Sequence, residues 1–264
     1  MIIWLKQPDG SCVRLVDGWK PRIRISGEIN DLLNLQPFIP TCTFVEKFER
    51  AGAKTRSKVL EVEVDSESEA QSLARQIFRY GGYSRYRLYD VDIPSTQMYL
   101  YRNDLFPLAF VEANDTLDHI EWVLKDSRER LDYELPRLRI LRLKITTKKT
   151  RRIPTFKDEL GSITLQTDNE TIAINSGNEA DKLTHLVEAF STINPDVVLT
   201  EGGDSFIFPY LARRAEHQHI LHEIVLGREK APLRVYEVQG HSYFSYGKIL
   251  FKQTAARLLG RLLE

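Results

Sequence analysis

The amino-acid sequence predicts an α/β protein of two domains, an α+β domain over 1–133 and a mixed-sheet α/β domain over 134–264. Three observations support this prediction. The chain has 264 residues, about twice the usual length of a single domain. Short strands that alternate polar and apolar residues dominate the first half, whereas amphipathic helices separate the strands of the second half. The hydrophobic fraction of 42% is ample for packed cores.

The first domain is predicted to consist of strands and turns around one long helix. Its strands, in order, are 2–6, 11–16, 21–25, 59–64 and 86–91. Its helices are 66–80 and 96–101, and the polar segment 115–131 is expected to form a helical surface element. The long helix is indicated by apolar residues at helical spacing. Ser66 or Ser68 can cap its start, and Gly81-Gly82 ends it.

The second domain is predicted to have longer strands and two amphipathic helices. Its strands are 137–147, 162–166, 171–174 and 197–199, and its helices are 179–193 and 205–216. The turn Thr167-Asp168-Asn169 joins an antiparallel pair, and Val197-Val198-Leu199 is fully apolar, as expected at the centre of a sheet. Three strands, a helix, a buried strand and a helix is the order of a ribonuclease-H-like fold, although several α/β folds share it.

The composition excludes several classes of protein. No stretch approaches the ~20 apolar residues of a membrane span. The apolar run after Met1 is too short for a secretory signal. Cys12 and Cys42 are too few for a disulfide scaffold or a four-ligand zinc site. We therefore expect a reduced, cytoplasmic protein with no membrane partner.

The charge distribution is more informative than the net charge, which is zero. Positions 137–152 contain no acidic residue but eight basic ones: Arg137, Arg139, Arg142, Lys144, Lys148, Lys149, Arg151 and Arg152. Such a local stripe can bind phosphate because salt screens distant charges beyond ~10 Å. The alternative interpretation is an ordinary strand and loop whose charges face water.

Two pairs of segments carry a resemblance to a known family. Residues 90–101 read D-V-D-I-P-S-T-Q-M-Y-L-Y and 104–109 read D-L-F-P-L-A. Residues 194–200 read N-P-D-V-V-L-T and 204–211 read D-S-F-I-F-P-Y-L. The first pair resembles the N-terminal domain of archaeal-type family B DNA polymerases, and the second resembles motif two of their 3′–5′ exonuclease domain. The resemblance implies an N-terminal domain followed by a ribonuclease-H-like, exonuclease-type domain that is incomplete at its C-terminus.

The resemblance also implies that the metal ligands of the exonuclease are replaced. Such nucleases use two metal ions held by carboxylates, beginning with D-x-E on a strand. Lys144 stands at the position of the Asp and Thr146 at that of the Glu, while Ile207 replaces the Asp of F-D-F in motif two. An ammonium group has no lone pair for a cation. We therefore expect no catalytic residue, metal site or cofactor in this chain, with Mg²⁺ confined to the polymerase domain of the parent protein.

Loss of the ligands leaves a positive groove that can hold DNA. The candidate backbone contacts are Arg142, Lys144, Lys148, Lys149, Arg151 and Arg152. A second candidate is 240–252, where aromatic and basic residues interleave, with Tyr243, Tyr246 and Lys248 as the proposed contacts. The alternatives are a decayed site whose charges face water and, for 240–252, aromatic residues packed in the core of a hairpin.

The leading functional hypothesis is a non-catalytic portion of a family B-like DNA polymerase. Its partners would be single-stranded or primer-template DNA and the C-terminal polymerase domains, in the same protein or in a separate subunit. One alternative is a residual metal-dependent exonuclease that uses Asp204, Glu201 and Asp158 or Glu159. Another is a protein-interaction subunit without affinity for DNA.

A further metal site is conceivable around three side chains near the end of the last predicted helix. On a continuous helix His219, His222 and Glu223 would lie at i, i+3 and i+4 and could converge. Nothing nearby completes a zinc motif, so exposed helical histidines are the favoured interpretation.

Overall fold

The computed structural model describes residues 1–39, 41–116, 119–130, 132–148, 155–238 and 253–264. The chain divides into two compact units, Met1–Pro136 and Arg137–Glu264; the boundary predicted from sequence falls after residue 133. Each unit has its own hydrophobic core. The architecture is mixed α/β with several sheets, which confirms the predicted fold class. Within the described ranges, no helix has both the length and the apolar composition that crossing a bilayer requires.

The first unit contains a four-stranded antiparallel sheet and two hairpins. Its strands are β1 (Ile2–Lys6), β2 (Cys12–Val16), β3 (Arg22–Ser26), β4 (Cys42–Lys47), β5 (Ser57–Glu63), β6 (Arg87–Tyr89), β7 (Val111–Asp115) and β8 (Ile120–Leu124). Its helices are α1 (Ile29–Leu35), α2 (Glu67–Tyr80) and α3 (Ser95–Arg102). The sheet has the order β4-β5-β3-β6, while β1 pairs with β2 and β7 with β8.

Helix α2 covers one face of that sheet. Its start is capped as predicted, since the Ser66 hydroxyl accepts a hydrogen bond from the Glu69 N–H at 3.2 Å. Ala70 and Ile77 on its inner face join the buried residues of the sheet in one core. Burying each large aliphatic side chain of such a core contributes about 1.5–3 kcal/mol, so this face keeps α2 in place.

The segment 115–131 corrects the prediction of a helical surface element. Asp115 ends β7 and residues 120–124 form β8, an antiparallel hairpin. Ile120 is buried and Trp122 half-buried, whereas Glu121 and Val123 are exposed, which is the two-residue period of a strand. Two of the charged residues of this segment, Asp115 and Glu121, are exposed on the strands of the hairpin.

A buried carboxylate links three parts of the first unit. Asp17 is 4% exposed, and its Oδ2 accepts hydrogen bonds from the Tyr99 hydroxyl at 2.6 Å and from the Ile120 N–H at 3.2 Å. Its Oδ1 accepts the N–H of Trp19 at 2.8 Å. The Trp122 indole N–H donates in turn to the Tyr99 hydroxyl. The end of β2, helix α3 and strand β8 therefore meet at one charge.

The second unit is built on a five-stranded mixed sheet. Its strands are β9 (Ile140–Lys148), β10 (Glu159–Gln166), β11 (Thr171–Ile174), β12 (Val197–Thr200), β13 (Arg234–Val238), β14 (Gln253–Arg257) and β15 (Leu262–Leu263). Its helices are α4 (Glu179–Ile193) and α5 (Phe208–His217). The sheet order is β11-β10-β9-β12-β15, with β9 antiparallel to β10 and parallel to β12. Strands β13 and β14 form a further antiparallel pair.

Helix α4 has the bounds predicted from sequence. Asn178 and Asp181 form a capping box at its start, and Asn194 ends it in the left-handed conformation at φ 47°. Leu186 and Phe190 are buried in the same core as the sheet residues. The capping residues and the apolar stripe that predicted this helix from sequence are the same features that start it and bury it in the structure. The predicted bounds of α4 are therefore confirmed.

The predicted helix 205–216 differs in its first turn. Gly203–Ile207 form a π-helical turn, and α5 proper begins at Phe208. Gly202 has φ +74°, and a Cβ on Gly203 would lie 2.1 Å from the Thr200 hydroxyl oxygen. The two glycines therefore allow the chain to turn sharply at the end of β12.

The helical geometry assumed for the three candidate metal ligands is wrong. Helix α5 ends at His217, His219 has φ +60°, and Leu221–Glu223 form a single 3₁₀ turn. Among the residues with described positions, no three His, Cys, Asp or Glu side chains are grouped so that they could hold a metal ion. The i, i+3, i+4 argument therefore does not apply.

Candidate functional site

Strand β9 separates an apolar face from a basic face. Leu141 and Leu143 have no solvent exposure, whereas Arg142, Lys144 and Thr146 are exposed. This alternation confirms the orientation predicted from the two-residue period of a strand. The strand therefore anchors itself in the core with one face and presents two cations to solvent with the other.

The neighbours of these cations across the sheet are uncharged. On β10, Gln166 pairs with Arg142, Thr164 with Lys144 and Ser162 with Thr146. We call the exposed side of β9 and β10 at these three pairs the basic face. Neither Arg142 nor Lys144 makes an ion pair with any residue that the structure describes. Their charges are therefore available to an anionic ligand.

Lys148 is less available than its position in the stripe suggests. Its Nζ lies 2.6 Å from a carboxylate oxygen of Glu159 on β10, and both side chains are about half exposed. The pair reduces the local positive charge at this end of β9. Three other candidates from the stripe, Lys149, Arg151 and Arg152, lie outside the described residues, as do Tyr243, Tyr246 and Lys248.

The side chains at the positions that the resemblance assigns to metal ligands do not fit two divalent cations. Lys144 offers an ammonium group, Thr146 a hydroxyl and Ile207 a hydrocarbon. The Thr146 hydroxyl bonds the Ser162 hydroxyl at 2.8 Å and accepts the Ser162 N–H at 3.0 Å. Ile207 is 4% exposed and packs in the core. Since Mg²⁺ and Mn²⁺ require several anionic oxygen ligands, this donor set gives a two-metal site no physical basis.

The carboxylates considered for a rearranged nuclease have other partners. The Asp204 carboxylate accepts the N–H of Ala256 at 2.7 Å, and that of Asp158 accepts the N–H of Thr155 at 2.7 Å. Glu159 pairs with Lys148, and Glu201 is exposed at the end of β12. The described part of the chain does not bring these four side chains together.

A buried charge network connects α4 and α5 with β10, and the sequence alone did not indicate it. Arg214 on α5 donates to both carboxylate oxygens of Glu179 on α4, at 2.7 and 2.5 Å. Glu179 also accepts the N–H of Leu160 on β10 and an N–H of the Gln218 side chain. Lys182 is 2% exposed and donates to the Leu160 and Gly161 carbonyls. Both helices are thereby tied to the strand that flanks β9.

The electrostatics of Glu179 follow from this network. Burial alone would raise the pKa of its carboxyl group, but the hydrogen bonds and charge of Arg214, with the Leu160 N–H, outweigh burial and hold the pKa below its usual value. Glu179 is therefore ionised in the folded protein at neutral pH. A charge pair separated by 35 positions leaves no local pattern, which explains why the sequence did not reveal it.

Comparison with known proteins finds similarity to DNA polymerases. No protein-family model matches the sequence. A DNA polymerase of Thermococcus litoralis is 27% identical over 143 residues, covering 54% of this chain and 8% of that protein. A DNA polymerase of Archaeoglobus fulgidus is 20% identical over 239 residues, covering 83% of this chain and 28% of that protein.

The solved structures agree with the sequence relatives. The family B DNA polymerase of the hyperthermophilic archaeon Pyrobaculum calidifontis superposes with a TM-score of 0.75 at 18% identity. The match covers 99% of this chain and 34% of that polymerase. The resemblance to archaeal-type family B DNA polymerases is thus confirmed. The chain spans less than a third of the length of the curated relatives described here.

Proposed function

We propose that this chain is a non-catalytic portion of a family B-type DNA polymerase that binds DNA and scaffolds the polymerase domains. The observation that supports the proposal is the basic face, on which Arg142 and Lys144 are exposed without an ion-pair partner among the described residues. Its ligand would be single-stranded or primer-template DNA, encountered in replication or repair in the cytoplasm.

The geometry of β9 suits a phosphate backbone. Arg142 and Lys144 are two residues apart on an extended strand, so their Cα atoms are ~6.6 Å apart and their side chains point the same way. Such a pair can contact neighbouring phosphates without recognising a base. Fixed cations on a sheet also replace, in part, the charge that two metal ions bring to a nuclease groove. Binding would therefore be independent of sequence and sensitive to salt.

The proposed scaffolding role rests on the similarity to DNA polymerases, of which the match spans 28% of the Archaeoglobus protein and 34% of the Pyrobaculum protein. The polymerase domains, with their Mg²⁺, would lie in the same polypeptide or in a separate subunit. The two units would hold DNA beside those domains, and the buried network of Glu179 and Arg214 would keep the basic face rigid.

The Lys144→Ala variant tests this role of the basic face. We expect weaker binding of a fluorescent 20-nucleotide single strand and a decrease of about one in the slope of log affinity against log salt, because one phosphate contact is lost. The measurement is a set of anisotropy titrations across salt concentrations. Arg142→Ala should act in the same direction.

Arg213→Ala is the matched control for this titration. Arg213 is an exposed cation of the same unit, on helix α5, and its closest partner is Glu216 at 3.4 Å. The Arg213→Ala variant should show the same slope of log affinity against log salt as the wild type. A slope for Lys144→Ala equal to that of the control would refute the proposed role of the basic face.

We expect no metal-dependent shortening of labelled single strands by this chain. Mg²⁺ and Mn²⁺ would be supplied in turn, and products resolved on a denaturing gel over hours. The physical reason is the donor set at Lys144, Thr146 and Ile207. Shortening that needs metal and disappears in Asp204→Ala would instead establish a rearranged exonuclease and contradict the non-catalytic role.

A further inference from the structure

A second surface with the chemistry of a nucleic-acid site lies in the first unit, at the end of helix α2. Residues 78–87 read F-R-Y-G-G-Y-S-R-Y-R, and no acidic residue occurs between Glu69 and Asp90. Aromatic and basic residues alternate here as they do in single-strand binding surfaces.

The rings of this surface are arranged in contact with one another. The centroid of Tyr80 lies 5.9 Å from that of Phe38 and 6.5 Å from that of Tyr86, whose plane is inclined by only 14° to that of Tyr80. Tyr86 is buried and fixed, since its hydroxyl donates to the Asp31 carbonyl oxygen. Tyr80 and Phe38 are 55% and 72% exposed. A rigid ring thus supports two rings that face water.

Tyr83 adds an aromatic side chain that folding does not explain. It is 71% exposed and has φ +62°, a backbone conformation that glycine or asparagine adopts at lower cost. Its N–H caps the end of α2 by donating to the Phe78 carbonyl oxygen at 2.8 Å, a bond that any residue except proline could make. An exposed ring on an unfavourable backbone conformation points to a role in binding.

Cations surround these rings. Arg75 and Arg79 are exposed on one face of α2, four residues apart, and neither forms an ion pair within the described ranges. Arg85 packs beside the end of the helix, near Gly81, and is 61% exposed. The carboxylate closest to its guanidinium, that of Asp31, is 3.9 Å away, at the limit of an ion pair. The surface therefore favours a polyanion.

We propose that this aromatic platform, defined by Phe38, Tyr80, Tyr83, Arg79 and Arg85, binds single-stranded nucleic acid. Unpaired bases stack on Tyr80 and Tyr83, while Arg79 and Arg85 contact the adjoining phosphates. Exposed π faces accept any base, so recognition depends on single-strandedness and not on sequence. The proposal takes its class of ligand from the proposed function but assigns it a second site in the other unit.

The test is binding of a labelled oligo(dT) 20-mer to the full chain and to three single variants. Tyr80→Ala and Tyr83→Asn should each bind about 5- to 150-fold more weakly, the range for losing one stacked base. Asparagine tolerates the left-handed backbone, so Tyr83→Asn should keep or raise the melting temperature while binding falls. That opposite response separates a binding role from a structural one. Arg79→Ala should reduce the salt slope by about one.

Tyr101→Ala is the matched control, since Tyr101 is a 62%-exposed tyrosine beside an arginine on helix α3. It should bind as the wild type does. Wild-type affinity in both Tyr80→Ala and Tyr83→Asn overturns the platform, whatever Lys144→Ala does at the basic face. A wild type that binds no oligonucleotide overturns both proposals. Sedimentation that shows a dimer dissociated by Tyr80→Ala overturns the platform in favour of contact between copies of the chain.

Discussion

Glu179→Ala is expected to lower the free energy of unfolding of the second unit by about 3–5 kcal/mol, the usual effect of removing one partner of a buried ion pair. Glu179 is 4% exposed and Arg214 8%. Without the carboxylate the guanidinium keeps its desolvation cost but loses two charge-assisted hydrogen bonds. The N–H of Leu160 loses its acceptor as well. The loss therefore exceeds that of an exposed salt bridge several-fold.

Hydrogen exchange of the amides of α4 and β10, followed in urea, measures this loss in the second unit. Glu188→Ala is the control, because Glu188 is an exposed glutamate on the same helix and should change stability by less than about 0.5 kcal/mol. The double variant Glu179→Ala/Arg214→Ala should be less destabilised than the sum of the single variants, since no buried charge remains. A loss below 1 kcal/mol for Glu179→Ala would contradict the role of the network.

The same network makes stability depend on pH in a defined direction. The pKa of Glu179 is lower in the folded than in the unfolded chain, since Arg214 and the Leu160 N–H outweigh the effect of burial. The contribution of Glu179 to the free energy of unfolding is fully present above the pKa that its carboxyl group has in the unfolded chain. It is lost as pH falls through the lower pKa of the folded chain. In Glu179→Gln this acid-dependent part of the unfolding free energy should be missing.

Asp17→Ala should destabilise the first unit by a similar amount, about 3–5 kcal/mol, because two buried donors and one half-buried donor lose their acceptor together. These donors are the Tyr99 hydroxyl and the N–H groups of Trp19 and Ile120. Burial would raise the pKa of Asp17, but these hydrogen bonds outweigh it and lower the pKa. Asp17→Asn retains one acceptor oxygen and should lose less, about 1–2 kcal/mol.

Tryptophan fluorescence isolates this effect, because Trp4, Trp19 and Trp122, the three tryptophans of the chain, all lie in the first unit. Its urea transition should shift in Asp17→Ala, while the exchange of amides in α4 should not. Asp115→Ala is the control, since Asp115 is an exposed aspartate at the end of β7. Equal midpoints for Asp17→Ala and the control would show that the buried carboxylate does not stabilise this unit.

The features that the sequence predicted well depend on local information. Helix α4 carries its own capping box, and the alternation of Leu141 and Leu143 with Arg142 and Lys144 follows from strand geometry alone. Helix α1 was missed because it has only seven residues and no side-chain cap. Strand β8 was taken for part of a helix because the polar residues on either side of it masked its two-residue period.

The site was harder to predict wherever it depends on partners distant in sequence. Lys148 looked like a free cation in the sequence. In the structure, the strand register beyond a β-bulge between Leu160 and Ser162 places Glu159 opposite Lys148, and the two side chains form an ion pair. Asp204 looked available for a metal, but the return of the chain at Ala256 engages its carboxylate. The first pairing arises from strand register and the second from the approach of a distant strand to the π-helical turn, so no single-sequence pattern indicates either.

The burial of Ile207 has a consequence for any attempt to install a metal site here. An Ile207→Asp substitution would place a carboxylate in the core, beside Phe208, where an uncompensated charge is costly to bury. Lys144 and Thr146 offer an ammonium group and a hydroxyl, so they would also have to change before a carboxylate cluster could form. The aspartate alone is therefore expected to lower stability without creating a metal site.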